Sequence, residues 1–278
     1  TWERTVVDVG PMSGWEREPL AEPELVEVSA RDGATLFARL YRADGDAGSQ
    51  RLLCWLHGGP TDQWQVTFNV RIAFWRSHGW NVLVPDHRGS SGHGREYQQA
   101  MRHRWGDLDV SDTIDAVAHA HAQGWGSPLR TVLMGGSAGG FTALGAAAAA
   151  PDLLAAAVVS YPVTDLFDLG ERSHRFERHY TDSLVGPIPP GNPSSGPYHD
   201  RSPVNFASAI RAPLLVFHGD ADPVVPVGQS RELATKIVEA GGSVVLTVYE
   251  GEGHGFRQPA HQLDEYRRIA AFFAEYVG

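Results

Sequence analysis

Short apolar runs at 52–56, 80–84, 131–134, 156–160, 214–217 and 244–249 alternate with segments long enough for helices, about 66–78, 107–122, 138–149, 228–240 and 259–276. A strand that reads as an unbroken apolar run is covered on both faces, and strands separated by helices can be joined only in parallel. This pattern predicts an α/β fold built on a mostly parallel, twisted sheet with helices on both faces. Upstream, residues 25–29 and 35–41 alternate around the turn Arg31-Asp32-Gly33 and predict an antiparallel hairpin. In the segment from Asp107, Leu108, Val110, Ile114, Val117 and Ala118 fall at helical spacing. Its acidic start, with Asp107, Asp109, Asp112 and Asp115, suits the positive end of a helix dipole.

Two stretches depart from the alternation. Residues 1–23 are acidic, contain Pro11, Pro19 and Pro23 and lack periodicity, so they read as an arm or linker ahead of a domain over 24–278. Residues 162–205 hold seven prolines and no clear strand, and are expected to form an excursion over the C-terminal edge of the sheet, where α/β folds bind ligands.

Composition removes several function classes. The 278 residues, 42% hydrophobic, suffice for one large domain with a substantial core. A formal charge of −10, with no local cluster of Lys and Arg, argues against nucleic acid and anionic membrane surfaces as partners. No apolar run approaches the ~20 residues of a membrane span. The one cysteine, Cys54, sits in an apolar run and reads as a buried small hydrophobe. It is compatible with a reducing, cytoplasmic location. Oligomeric state is not legible, and a homo-oligomer is compatible with the sequence.

The chemistry is carried by Gly135-Gly136-Ser137-Ala138-Gly139-Gly140, at the junction of an apolar run and a small-residue helix. That is the G-x-S-x-G elbow, in which a turn too tight for flanking side chains thrusts a serine hydroxyl outward at a helix start. Backbone N–H groups there can stabilise an oxyanion. A serine needs a base, and the base an orienting acid. The loop 218–226 follows an apolar strand and supplies Asp220 and Asp222; the glycine-rich loop 251–256 follows the last strand and supplies His254. The chain order Ser, Asp, His is that of α/β-hydrolases. His57-Gly58-Gly59-Pro60 resembles the loop whose backbone N–H completes an oxyanion hole, so the expected donors are the N–H groups of Ala138 and of Gly59, with Gly58 second to it. His57 itself is read as a scaffold residue. No metal site is indicated: His119 and His121 are two apart on a helix and cannot share a face, and the 85–89 stretch is read as shaping the site rim.

Taken together, H-G-G-P at 57–60, D-H-R-G-S-S-G-H-G-R at 86–95, R-W-G-D-L-D-V at 104–110, G-G-S-A-G-G at 135–140, H-G-D-A-D-P-V-V-P at 218–226 and G-H-G-F at 253–256 resemble the catalytic domain of the prolyl oligopeptidase family. The acylaminoacyl-peptidase and dipeptidyl-aminopeptidase-like branch is the nearest in pattern. The likeness runs from about residue 24 to the C-terminus and implies an α/β-hydrolase fold with Ser137 as nucleophile, Asp222 rather than Asp220 as acid and His254 as base. It implies a serine peptidase cleaving peptide or acyl-amide bonds of short substrates through an acyl-enzyme, without a cofactor. A carboxylesterase on small esters or amides is the alternative enzyme; a catalytically silent binding module is the alternative of another class.

Family members usually carry an N-terminal β-propeller over the site. This chain has no room for one, so it reads either as an excised catalytic domain whose propeller is missing from it or as a standalone relative. Many members place an arginine two residues after the acid, where this chain has Val224; Arg172, Arg175 or Arg178 are the candidates to replace it. The acyl pocket is expected to draw on Tyr161, Val163, Leu166, Phe167, Phe176 and Val224, residues that core packing would explain as well.

Overall fold

The computed structural model describes residues 21–45, 50–172 and 178–277. Within them the elements run in the order β1 (Glu24–Ser29), β2 (Thr35–Tyr41), β3 (Leu52–Leu56), α1 (Val70–Ser77), β4 (Asn81–Asp86), α2 (Arg95–Gln99), α3 (Leu108–Ala122), β5 (Thr131–Gly136), α4 (Ala138–Ala149), β6 (Ala156–Ser160), α5 (Leu166–Arg172), α6 (Arg178–Val185), α7 (Pro197–Asp200), β7 (Leu214–Gly219), α8 (Val227–Glu239), β8 (Val244–Tyr249) and α9 (Pro259–Tyr276). The strands form one eight-stranded sheet ordered β1-β2-β4-β3-β5-β6-β7-β8. The β1–β2 and β2–β4 pairs are antiparallel and every other pair is parallel.

The apolar runs are continuous because alternate residues feed two different cores. Leu52, Cys54 and Leu56 of β3 point into a cluster with Val117 of α3, Leu144 of α4 and Leu233 and Ile237 of α8. Leu53 and Trp55 point the other way, toward Ile72 and Trp75 of α1 and Phe272 and Phe273 of α9. A period of two across a strand with both faces covered leaves no polar position. Cys54 is fully buried, and desolvation pushes its thiol up to about 12.

Two details differ from the sequence expectation. The helix expected from residue 66 starts at Val70, because the Asn69 side chain accepts from the N–H groups of Arg71 and Ile72 and so caps it there. The 162–205 excursion has no strand among its described residues, as expected, but it carries α5, α6 and α7. Their apolar residues, among them Leu166, Leu184, Val185 and Tyr198, pack with Met101, Trp105 and Phe141 into a separate cluster. Residues 1–20 of the expected arm lie outside the described residues.

Candidate active site

Ser137 occupies the turn between β5 and α4 with φ 55° and ψ −123°, a left-handed conformation that a side-chain-bearing residue holds only where its surroundings enforce it. The enforcement is steric. A Cβ on Gly135 would lie 2.4 Å from the Gly139 carbonyl carbon, and one on Gly139 would lie 2.5 Å from the His57 carbonyl oxygen. Only hydrogen fits at either position, so α4 can rest directly on β5 and on the end of β3. The Ser137 N–H donates to the Ser160 carbonyl at 3.0 Å, which ties the turn to β6. Ala138 is the first helical residue, and its N–H is one of those a helix cannot satisfy internally.

At the far end of the sheet, His254 Nδ1 lies 2.8 Å from Asp222 Oδ2. Oδ1 of the same carboxylate accepts from the N–H groups of Val224 at 2.8 Å and Val225 at 3.0 Å. Burial alone would raise the Asp222 pKa. Hydrogen bonds from His218 and His254, with those of the two N–H groups, outweigh it and hold the carboxyl well below its ordinary range. An ionised carboxylate only accepts, so the proton sits on His254 Nδ1 and Nε2 keeps its lone pair. Asp220 is engaged elsewhere, accepting from the Gly251 N–H at 2.7 Å. No hydrogen bond joins Ser137 to the His254 ring, but both line a single cavity of about 320 Å³ together with Gly58, Gly59, Gly136 and Tyr161. Hydrogen bonds of this kind are commonly loose without substrate and tighten when it binds.

The remaining sequence-predicted residues fall into three groups. Tyr161 lines the cavity at a backbone φ of 40°, with its ring centroid 4.6 Å from that of His254. Val163, Leu166, Phe167 and Val224 do not line it. Val163 and Leu166 are buried in the cluster under the excursion with Phe167 packed against it, and Val224 is 46% exposed outside the cavity. Core packing accounts for the apolar character of Val163 and Leu166, and Phe167 is half-buried at the edge of the same cluster. Phe176 and Arg175 lie outside the described residues, as do the side chains of Arg172 and Arg178.

His57 is buried, stacked on His87 at 4.6 Å and bonded to Ser90 Oγ and the Gly58 carbonyl at 2.7 Å each. Desolvation and the neighbouring His87 lower its pKa to about 4, so at neutral pH it is an uncharged prop beneath the loop that carries Gly58 and Gly59. The stretch 85–89 supports the rim through Asp86, which is paired with Arg39 at 2.7 Å and accepts from Gln63 Nε2 at 2.9 Å. Arg39 also donates to the Trp64 carbonyl, fastening the 59–64 loop to β2 and β4.

Sequence reasoning missed Glu252. Almost fully buried, it accepts from the N–H groups of Arg257 and Gln258 and pairs with His261 Nδ1, all at 2.9 Å. Those bonds clamp the loop carrying His254 to the start of α9. Its signal was an acid between two glycines beside a histidine. Also missed were Arg71, which lines the cavity, and the buried Glu265 beside it, because single charges on amphipathic helices read as surface. Among the described residues no group of three or more His, Cys, Asp or Glu could hold a metal ion, and no helix is long and apolar enough to cross a membrane.

A mostly parallel sheet with helices on both faces and a strained serine between its fifth strand and the following helix defines an α/β-hydrolase fold. A sequence model of the prolyl oligopeptidase family matches residues 66–278, and the chain belongs to that family. It is 28% identical over 235 residues to the acylamino-acid-releasing enzyme of Arabidopsis thaliana, covering 81% of this chain and 30% of that protein. It is 27% identical over 273 residues to dipeptidyl aminopeptidase BIII of Pseudoxanthomonas mexicana, covering 95% and 40%. Among solved structures, a puromycin-hydrolyzing peptidase of Mycobacterium tuberculosis superposes with a TM-score of 0.86 at 30% identity, covering 93% of this chain and 40% of that one. The chain thus spans 30–40% of the length of these relatives.

Proposed function

We propose that the chain is the hydrolytic unit of a serine peptidase that cleaves peptide or acyl-amide bonds of short substrates. The observation that carries this reading is the 2.8 Å bond from His254 to Asp222, on a cavity shared with the strained Ser137. In the mechanism, His254 Nε2 takes the hydroxyl proton as Ser137 Oγ attacks the carbonyl carbon. Asp222 fixes the ring and stabilises its cationic form. The tetrahedral oxyanion is received by the Ala138 N–H and by that of Gly59 or Gly58, each such donor contributing about 3–4 kcal/mol. His254 then gives its proton to the departing amine, and water repeats the sequence on the acyl-enzyme.

The names of the relatives, an acylamino-acid-releasing enzyme, a dipeptidyl aminopeptidase and a puromycin-hydrolyzing peptidase, favour amides over esters and short substrates over long ones. A propeller over the cavity, usual in the family, would impose the same size limit. The buried single cysteine fits a reducing cytoplasm.

Labelling with a fluorophosphonate, followed by peptide mapping, tests the nucleophile. The expected adduct is on Ser137, and Ser137→Ala loses both the label and turnover of aminoacyl-p-nitroanilides. A Ser137→Ala variant that hydrolysed them at the parental rate would end this reading. Faster turnover of matched esters than of amides after correction for intrinsic reactivity would convert it to a carboxylesterase.

A further inference from the structure

The mechanism leaves one wall of the cavity unused. Arg71, in the first turn of α1, lines it with a side chain 35% exposed. Its guanidinium sits 5.8 Å over the Tyr266 ring and 3.7 Å from Glu265 Oε2, beyond ordinary hydrogen-bond length. Among the described residues the guanidinium makes no hydrogen bond, so a planar fork of five donors stands without a hydrogen-bonded acceptor on a residue that lines the cavity. Behind it, Glu265 is 2% exposed; one oxygen accepts from Ser160 Oγ at 3.0 Å and the other has no hydrogen-bond partner. Burial raises the Glu265 pKa, against the opposing charge of Arg71 and the hydrogen bond from Ser160. Asp62 also lines the cavity, but it is exposed, where solvent screens its charge, and its carboxylate accepts from the Gln63 N–H.

The position of this wall relative to the reacting groups decides what it can bind. Ile72 and Trp75 put α1 on the α9 face of the sheet, opposite α4. The cavity borders His254, the group that hands its proton to the departing amine, and its other walls are Trp55, Trp64 and Met134. The geometry points to a leaving-group subsite in which Arg71 receives the carboxylate of the departing amino acid or short peptide, so that the preferred substrates carry a free C-terminus close to the cleaved bond. At about 320 Å³ the space lies at the small end of ligand pockets, ~300–1,000 Å³, and suits a leaving group of one or two residues. Planar bidentate capture of a carboxylate is what a guanidinium does and an ammonium does not.

This inference rests on the serine peptidase reading, and the test separates the two. Matched substrates with one acyl residue and either leucine or leucinamide as leaving group are compared by kcat/KM. The parent is expected to favour the free acid about tenfold or more, equivalent to about 1.4 kcal/mol, through KM. Arg71→Gln brings the ratio near one and Arg71→Lys restores part of it, with fluorophosphonate labelling of Ser137 reporting that each variant is folded. Product inhibition of the parent by leucine and not by leucinamide is expected too, and needs no variant. A parental ratio near one, a ratio unchanged in Arg71→Gln, or equal inhibition by the two products overturns the subsite and leaves the peptidase reading standing. Absence of both cleavage and labelling overturns both.

Discussion

The proposed nucleophile, Ser137, and its proposed base, His254, are held by opposite means. Around Ser137 the backbone is confined by contact alone: Gly135 and Gly139 admit no Cβ, and carbonyl groups of Leu56, His57 and Gly139 set the limits. Around His254 the support is ionic, with Asp222 and Glu252 each accepting two backbone N–H groups and each paired with a histidine. Steric confinement is indifferent to pH and fails abruptly, since packed backbone cannot yield. Carboxylate clamps fail gradually, as protons or substitutions remove one bond at a time. The hydroxyl end is thus fixed by shape and the imidazole end by charge.

The largest effect expected from breaking this contrast is at Asp222. Asp222→Asn keeps the volume but lets the ring adopt the wrong tautomer, and kcat should fall by about 10⁴-fold with the fold intact by circular dichroism. A loss under tenfold would show that the His254–Asp222 pair does not govern turnover. Next comes Gly139→Ala, whose methyl would stand 2.5 Å and 2.6 Å from two carbonyl oxygens. Stability should drop by about 3 kcal/mol in urea unfolding, at the upper end of overpacking costs, with activity lost together with it. A stable, active variant would remove the steric account of the elbow.

Smaller effects sharpen the ionic side. Glu252→Gln puts an amide NH₂ where a second acceptor is needed, facing a backbone N–H. About 1–2 kcal/mol of stability should be lost, and kcat/KM should fall more than labelling of Ser137 does. Acid should act in the same direction. Asp222 and Glu252 have folded pKa values below their unfolded ones of about 4. Their stabilisation is therefore complete at neutral pH and disappears as pH falls through the folded values.

Asp109 has the opposite sign. Burial at the start of α3 pushes it up to about 6, against hydrogen bonds from Thr142 Oγ1 and the Gly106 N–H. Its folded pKa exceeds the unfolded one, so stability is lost as pH rises from about 4 to about 6. Asp109→Asn should flatten the melting-temperature profile over that interval, since the Thr142 hydroxyl can turn to accept from the amide and donate to the Ala138 carbonyl 3.1 Å away. An unchanged profile would place the titration elsewhere.

Much of this contrast was visible in sequence on one side only. The elbow could be read because its requirement, glycine where nothing larger fits, is local. The strands could be read because burial on both faces leaves continuous apolar runs. Asp222 and His254 were legible as loop residues after strands, with the choice over Asp220 resting on a family likeness. Glu252 was not legible, because its partners come together only when α9 docks. Arg71 and Glu265 were not, because each looks like an ordinary charge on an amphipathic helix until β6 brings Ser160 beneath them. Val163 and Leu166 could not be sorted for the converse reason: apolar residues near such a loop look alike in sequence whether they face substrate or the core.

The burial of Cys54 has a practical corollary. The sequence holds no other sulfhydryl, and this one is shielded and resists deprotonation. A cysteine introduced at the cavity rim, as in Asp62→Cys, would therefore be the one site open to maleimide reagents. A fluorophore attached there would report occupancy of the cavity shared by Ser137 and His254 in real time, with no background from the parent chain.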